Sequence, residues 1–131
     1  MVKVQKEKID LLHYIELLKR SDVGSIVTFL GEPRRSKEDG NVTSINFAVD
    51  EEKAVEALKS IEKEALNTGK IKDIIIVHRK GNIPLKEITL FVGVSSAHRQ
   101  EGFEICSRVV SKVKKIDSIK MEIRYETDRD S

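Results

Sequence analysis

Cysteine, tryptophan and proline are nearly missing from this sequence, which has one Cys, no Trp and two Pro in 131 residues. The lone Cys106 excludes an intramolecular disulfide framework and any zinc site built on several thiolates. Aromatics are also few, four Phe and two Tyr, which leaves little with which to stack nucleic-acid bases. Charge of one sign is not in excess either. The net charge of +2 is far from the basic surplus of a general polyanion binder, so any functional positive charge is local. No apolar run approaches the ~20 residues of a membrane span. The opening MVKVQKEKID is charged throughout and has no apolar signal region, so the expected location is cytoplasmic.

What is present is a high charged fraction, 35%, around a modest hydrophobic fraction of 39%, which predicts one domain spanning residues 1–131 with a thin core. Apolar residues at 9, 11, 12, 15 and 18, with Tyr14 beside them, predict a helix over Ile9 to Leu18. The β-branched and aromatic run Ser25 to Leu30 predicts a buried strand, which enters the polar loop Gly31 to Gly40. A second strand is expected over Val42 to Val49. Asp50 then caps a helix from Glu51 to about Asn67 with Gly69 past its end, its apolar positions including Ala54, Val55, Leu58, Ile61, Ala65 and Leu66. Asp73 to His78 and Ile88 to Val94 predict two more strands, joined by a turn-rich connection from Arg79 to Lys86. A helix from about Ala97 to Ile116, capped by Ser95 or Ser96, would bury Phe103, Cys106, Val109 or Val110, and Val113. Ile119 to Tyr125 alternates as a half-exposed strand. The order is α-β-β-α-β-β-α-β, which predicts an α+β fold with a mostly antiparallel sheet and helices to one side. A ferredoxin-like arrangement of the last six elements fits the pattern equally well.

Three segments place cations at strand ends: Arg34 and Arg35 after the first strand, His78-Arg79-Lys80 after the third, and His98-Arg99 where a strand turns into a helix. The last has the clearest mechanism. A helix N-terminus presents unpaired N–H groups and attracts anions, and two cations there are locally unfavourable unless an anion joins them. Histidine adds a proton carrier near neutral pH and arginine a fork that matches phosphate or carboxylate. His78 and Arg79 are expected to be a strand end meeting solvent. Lys112, Lys114, Lys115 and Lys120 read as dipole complements and surface charge, although Lys114 borders the buried stripe. Cys106 lies on that stripe as a core residue, and the three histidines show no metal-ligand spacing.

These segments, quoted as Gly24-Ser-Ile-Val-Thr-Phe-Leu-Gly-Glu-Pro-Arg34, His78-Arg-Lys-Gly81 and Phe91-Val-Gly-Val-Ser-Ser-Ala-His-Arg99 followed by Phe103, resemble the large (catalytic) subunit family of molybdopterin synthase from about Val23 to Glu122. The resemblance implies an α/β-hammerhead fold and a homodimer that binds a small ubiquitin-like subunit at each end, a heterotetramer. It implies that the small subunit's C-terminal Gly-Gly thiocarboxylate donates sulfur to cyclic pyranopterin monophosphate, in two rounds that build the molybdopterin dithiolene of the molybdenum cofactor. No metal or other cofactor is implied, nor any nucleic acid or membrane. By position, Arg34, His98 and Arg99 match the substrate-binding cations and Lys114 the first functional lysine. The second falls on Lys120 if one residue is deleted, or on Met121 if none is, because the usual Pro-aromatic-Trp stretch is replaced by Asp117-Ser-Ile-Lys120. A non-catalytic paralogue that only docks the small subunit, and a ferredoxin-like nucleic-acid binder, are the alternative readings.

Arg99 and Lys114 stand at opposite ends of one expected helix, roughly 22 Å apart at 1.5 Å per residue. The expectation is therefore a pocket shared between two copies of the chain.

Overall fold

The computed structural model describes residues 1–33 and 42–125. The elements are β1 (Val2–Gln5), α1 (Leu11–Leu18), β2 (Ser25–Gly31), β3 (Val42–Val49), α2 (Glu51–Asn67), β4 (Asp73–Arg79), β5 (Gly81–Pro84), β6 (Leu90–Ser96), α3 (Arg99–Val113) and β7 (Ile119–Tyr125). Among the described residues they form two sheets, one ordered β1-β4-β6-β2 and one ordered β5-β3-β7, with three helices, an α+β fold. Among the described residues only the β1–β4 pair is parallel. The ferredoxin-like alternative fails on strand pairing. β3 and β7 pair with each other, and the places beside β4 and β6 are taken by β1 and β2.

The unbroken apolar run of β4 follows from cover on both faces. Ile74 and Ile76, with Leu90, Val92 and Val94 of β6, pack with residues of α2 and α3 in the main core. Ile75, Val77 and Phe91 point the other way, against Tyr14 and Leu18 of α1. The expectation of helices to one side is corrected here: α1 covers the opposite face. Gly93 lets α1 approach that closely, because a Cβ on it would stand 2.6 Å from Leu18 Cδ1 and 2.8 Å from Phe91 Cζ.

The helix ends follow local chemistry. The Asp10 side chain accepts from the His13 N–H and Asp50 from the Lys53 N–H, each satisfying a first-turn donor. Gly69, at φ +71°, closes α2. The α3 stripe is Gly102, Ile105, Cys106, Val109 and Val113, and Phe103 falls outside it, 59% exposed. In α1 only Tyr14 and Leu18 are buried, whereas Leu12 is 75% exposed. Among the described residues no helix is long and apolar enough to cross a membrane.

Candidate active site

The two ends of α3 carry different chemistry. At its start, β6 runs on through Ser96, so neither Ser95 nor Ser96 is the cap; His98 takes that position without a side-chain capping bond. The Ser96 hydroxyl donates to the His98 carbonyl at 2.6 Å instead, which pins the turn. Gly24 passes directly beneath it, donating its N–H to the Ser96 carbonyl at 3.0 Å. A Cβ on Gly24 would lie 2.4 Å from the Ala97 carbonyl oxygen. His98 and Arg99 are exposed and line an open depression of about 850 Å³ together with Ser25, Thr28 and Phe103. Exposed helix N–H groups, an imidazole and a guanidinium in one depression suit an anionic group.

At the far end, Lys114 is the C-cap of α3, its N–H bonded to the Val110 carbonyl at 3.1 Å. Its ammonium lies over the ring of Phe29 on β2, 5.7 Å from the centroid, a cation–π arrangement. Among the described residues it has no carboxylate partner, whereas Lys112 two residues earlier is paired with Glu64 of α2.

His78 and Arg79, expected to meet solvent, are both buried. They part to opposite faces of β4. The Arg79 guanidinium donates to the Lys6 carbonyl at 3.1 and 2.8 Å and to Glu87 at 2.9 Å, which ties the chain after β1 to the sheet. The charge is buried because it is paired and bonded. His78 lies on the α3 face, its Nδ1 2.7 Å from the Arg79 carbonyl and its ring edge-on to Phe47 of β3 at 4.9 Å. Burial holds its pKa below the ordinary imidazole value; the Arg79 carbonyl opposes that, and the field of Lys114 adds a lesser push downward. His78 and Phe47 thus meet where the two sheets join, while Lys114 sits over Phe29 of the larger sheet.

Lys120 is not brought to that face. Cross-strand partners share a face, and Lys120 pairs with Ala48 whereas Met121 pairs with Phe47. Met121, 58% exposed, is on the His78 side; Lys120 lies on the outer side with Asp50, Lys53 and Asp117. Arg34 lies outside the described residues. The same face rule bears on nucleic acid. The larger sheet offers no open aromatic face, since α1 covers one side and α2 and α3 the other.

Among the described residues no group of three or more His, Cys, Asp or Glu is placed to hold a metal ion. Sequence reasoning placed His78 at a strand end meeting solvent and passed over Phe47; the signal for the burial of His78 was its place at the end of an apolar run covered on both faces.

The pattern of the MoaE protein family matches residues 4–116. A molybdopterin synthase catalytic subunit of Pyrococcus abyssi is 36% identical over 109 residues, 83% of this chain and 74% of that protein. One from Thermoplasma volcanium is 32% identical, over 86% of this chain and 82% of its own length. Among solved structures, molybdopterin synthase from Staphylococcus aureus superposes with a TM-score of 0.88 at 23% identity, over 94% of this chain and 90% of that one. A complex of subunits 1 and 2 of molybdopterin-converting factor from Helicobacter pylori contains a chain that superposes with a TM-score of 0.78 at 16% identity, over 98% and 91%. These structures share the fold. The matched segment takes in both ends of α3 and stops short of Lys120, and on that match the chain belongs to the MoaE protein family.

Proposed function

We propose that this chain is the catalytic subunit of a molybdopterin synthase. In this reading it transfers sulfur from the C-terminal thiocarboxylate of a ubiquitin-like small subunit to cyclic pyranopterin monophosphate, building the dithiolene. The observation that carries the reading is the family match across residues 4–116, which contains His98, Arg99 and Lys114. The chemistry asks for cations to hold phosphate and carboxylate, and for an amine or imidazole to manage a proton at the attacked carbon. His98 and Arg99, with Arg34, fill the first role, and Lys114 the second. The whole chain acts as one domain, in the cytoplasm.

The helix between Arg99 and Lys114 is continuous, so both ends cannot serve one small pocket of the same chain. The working unit in this proposal is a homodimer, in which His98 and Arg99 of the partner subunit approach Lys114. One small subunit at each end completes a heterotetramer. Exposed Phe103 beside the depression offers apolar surface for the contact between copies.

Lys120 is the second candidate lysine, and the faces of β7 set its expected rank below Lys114. The test is a sulfur-transfer assay with thiocarboxylated small subunit and cyclic pyranopterin monophosphate. Lys114→Ala is expected to lower kcat by about a hundredfold or more, the usual size of a proton-transfer contribution, with a smaller loss in Lys120→Ala. Tight docking of the small subunit with no dithiolene from the intact chain would overturn the catalytic reading.

A further inference from the structure

We infer that two copies of this chain join through the outer edges of their β2 strands, antiparallel and in register about Thr28, so that two four-stranded sheets become one. The inference deepens the reading of a site shared between two copies and rests on it. Four strands end the two sheets, and three of them carry features that keep an edge single. β1 is four residues long and includes Lys3, β5 is four long and ends in Pro84, and β7 carries Lys120, Glu122 and Arg124. β2 has none of these. Ser25-Ile-Val-Thr-Phe-Leu-Gly31 contains no charge and no proline, and it pairs with β6 through all seven residues without a bulge. Among the described residues no strand pairs with its other edge.

Symmetry fixes the register. Antiparallel edges of two identical chains are related by a twofold axis through the sheet, and directly opposed residues share a face. The axis must then pass through a residue, and only Thr28, the middle of the seven, lets the whole strand pair. Thr28 is exposed and faces Thr28 of the partner subunit, a favourable cross-strand pair. On the α1 face Ile26 meets the partner's Leu30, a side chain 43% exposed in the single copy. On the α3 face Phe29 meets the partner's Val27.

The helices fit the same arrangement. α3 packs on both β2 and β6, so across the new pair the two α3 helices stand two strand spacings apart, roughly 10 Å. They run antiparallel, at the separation at which helices pack. Phe103, exposed on α3 beside β2, lies between them. This register also completes the site. Lys114 sits over Phe29, whose ring leans along the strand to within 3.3 Å of where a Gly31 Cβ would be. Gly31 is opposed by the partner's Ser25, which lines the depression holding the partner's His98 and Arg99. Each lysine end is thereby set beside the other copy's His98–Arg99 end. Pairing through β1 instead would put β4 of both copies between the two α3 helices and keep those ends apart.

The experiment reads the register by cross-linking the full-length protein in a Cys106→Ala background, with oxidised glutathione as the oxidant. Thr28→Cys should form a covalent dimer, because opposed residues across an antiparallel pair lie within disulfide reach. Ile26→Cys alone should stay uncrosslinked, since its own counterpart lies four residues along the strand, roughly 13 Å away. Mixed with Leu30→Cys and refolded, it should link to that variant. In the otherwise intact chain, Thr28→Lys sets two ammonium groups face to face, so sedimentation velocity should show the dimer dissociation constant raised about tenfold or more. No covalent dimer from Thr28→Cys or from the mixture overturns the inference, and so does ready cross-linking of Ile26→Cys alone. A Thr28→Lys dimer as tight as the intact one overturns it too. If that variant instead loses affinity for the small subunit alone, the edge takes an extended tail of the small subunit rather than a second copy. Cross-linking and sedimentation need no catalysis. A chain that dimerises through β2 yet forms no dithiolene defeats the catalytic reading and leaves the edge pairing standing, while active protein whose β2 cysteines never link does the reverse.

Discussion

Single residues here owe their behaviour to which face of an element they occupy. Cys106 shows this most simply. It belongs to the buried stripe of α3, and burial pushes its thiol pKa up to about 11. At neutral pH the thiolate is then on the order of one part in ten thousand, too little for a sulfur-carrying nucleophile. Iodoacetamide at pH 7 should leave the native protein unlabelled and modify it stoichiometrically after denaturation, and Cys106→Ala should still form dithiolene from the thiocarboxylated partner. Rapid labelling of the folded chain would mean that the chain itself can carry sulfur. The core role of Cys106 was legible from its spacing alone. The burial of His78 was not, because a histidine at the end of an apolar run gives no local sign of whether a second sheet will close over it. Here Phe47, some thirty residues earlier in the chain, supplies that cover.

Among the elements, those with strong periodicity were legible and the short ones were not. Strand β3, helix α2 and strand β7 lie where alternation, an Asp cap and a terminal glycine put them. β1 and β5, four residues each, passed unnoticed because their pairing comes from distant partners, β4 and β3. The stripe of α3 was misread at Phe103 for a related reason. Gly102 takes the closest place under the helix, with a would-be Cβ 3.0 Å from Ser96 Oγ and 3.1 Å from Val27 Cγ2, and so turns Phe103 outward. Close approach also decides the seat of α1. Gly93→Ala would press a methyl into Leu18 and Phe91, an overpacking that should cost about 1–3 kcal/mol by chemical denaturation. Because α1 packs on the sheet face opposite α3 and its two candidate ends, the variant should keep its KM for substrate. A stability equal to the intact protein would mean that α1 rides higher on the sheet than described.

For the whole molecule, the decisive length is that of α3. Its fifteen residues separate the His98–Arg99 end from the Lys114 end, and no side chain bridges that distance. A dimer in which each site draws one end from each copy makes a sharp prediction. Arg99→Ala and Lys114→Ala proteins, each poor in sulfur transfer alone, should regain activity when unfolded and refolded together. In a mixed dimer one site collects both substitutions and the other collects neither, so mixing at equal amounts should restore about a quarter of the intact activity, half of the dimers being mixed with one good site each. No recovery on mixing would place each site within a single chain and would require α3 to break.

The pairing of β7 with β3 has one more consequence, for how this site can change over generations. Ile119, Met121 and Ile123 share the inward side, facing Val49, Phe47 and Ile45. Those isoleucines lock the phase of the strand. Sliding β7 by one residue to bring Lys120 inward would carry Glu122 with it and push both isoleucines into water. Insertions and deletions in the turn before β7 must therefore be absorbed by the turn itself. The inward seat at position 121 can gain or lose a cation only by replacing the residue that occupies it.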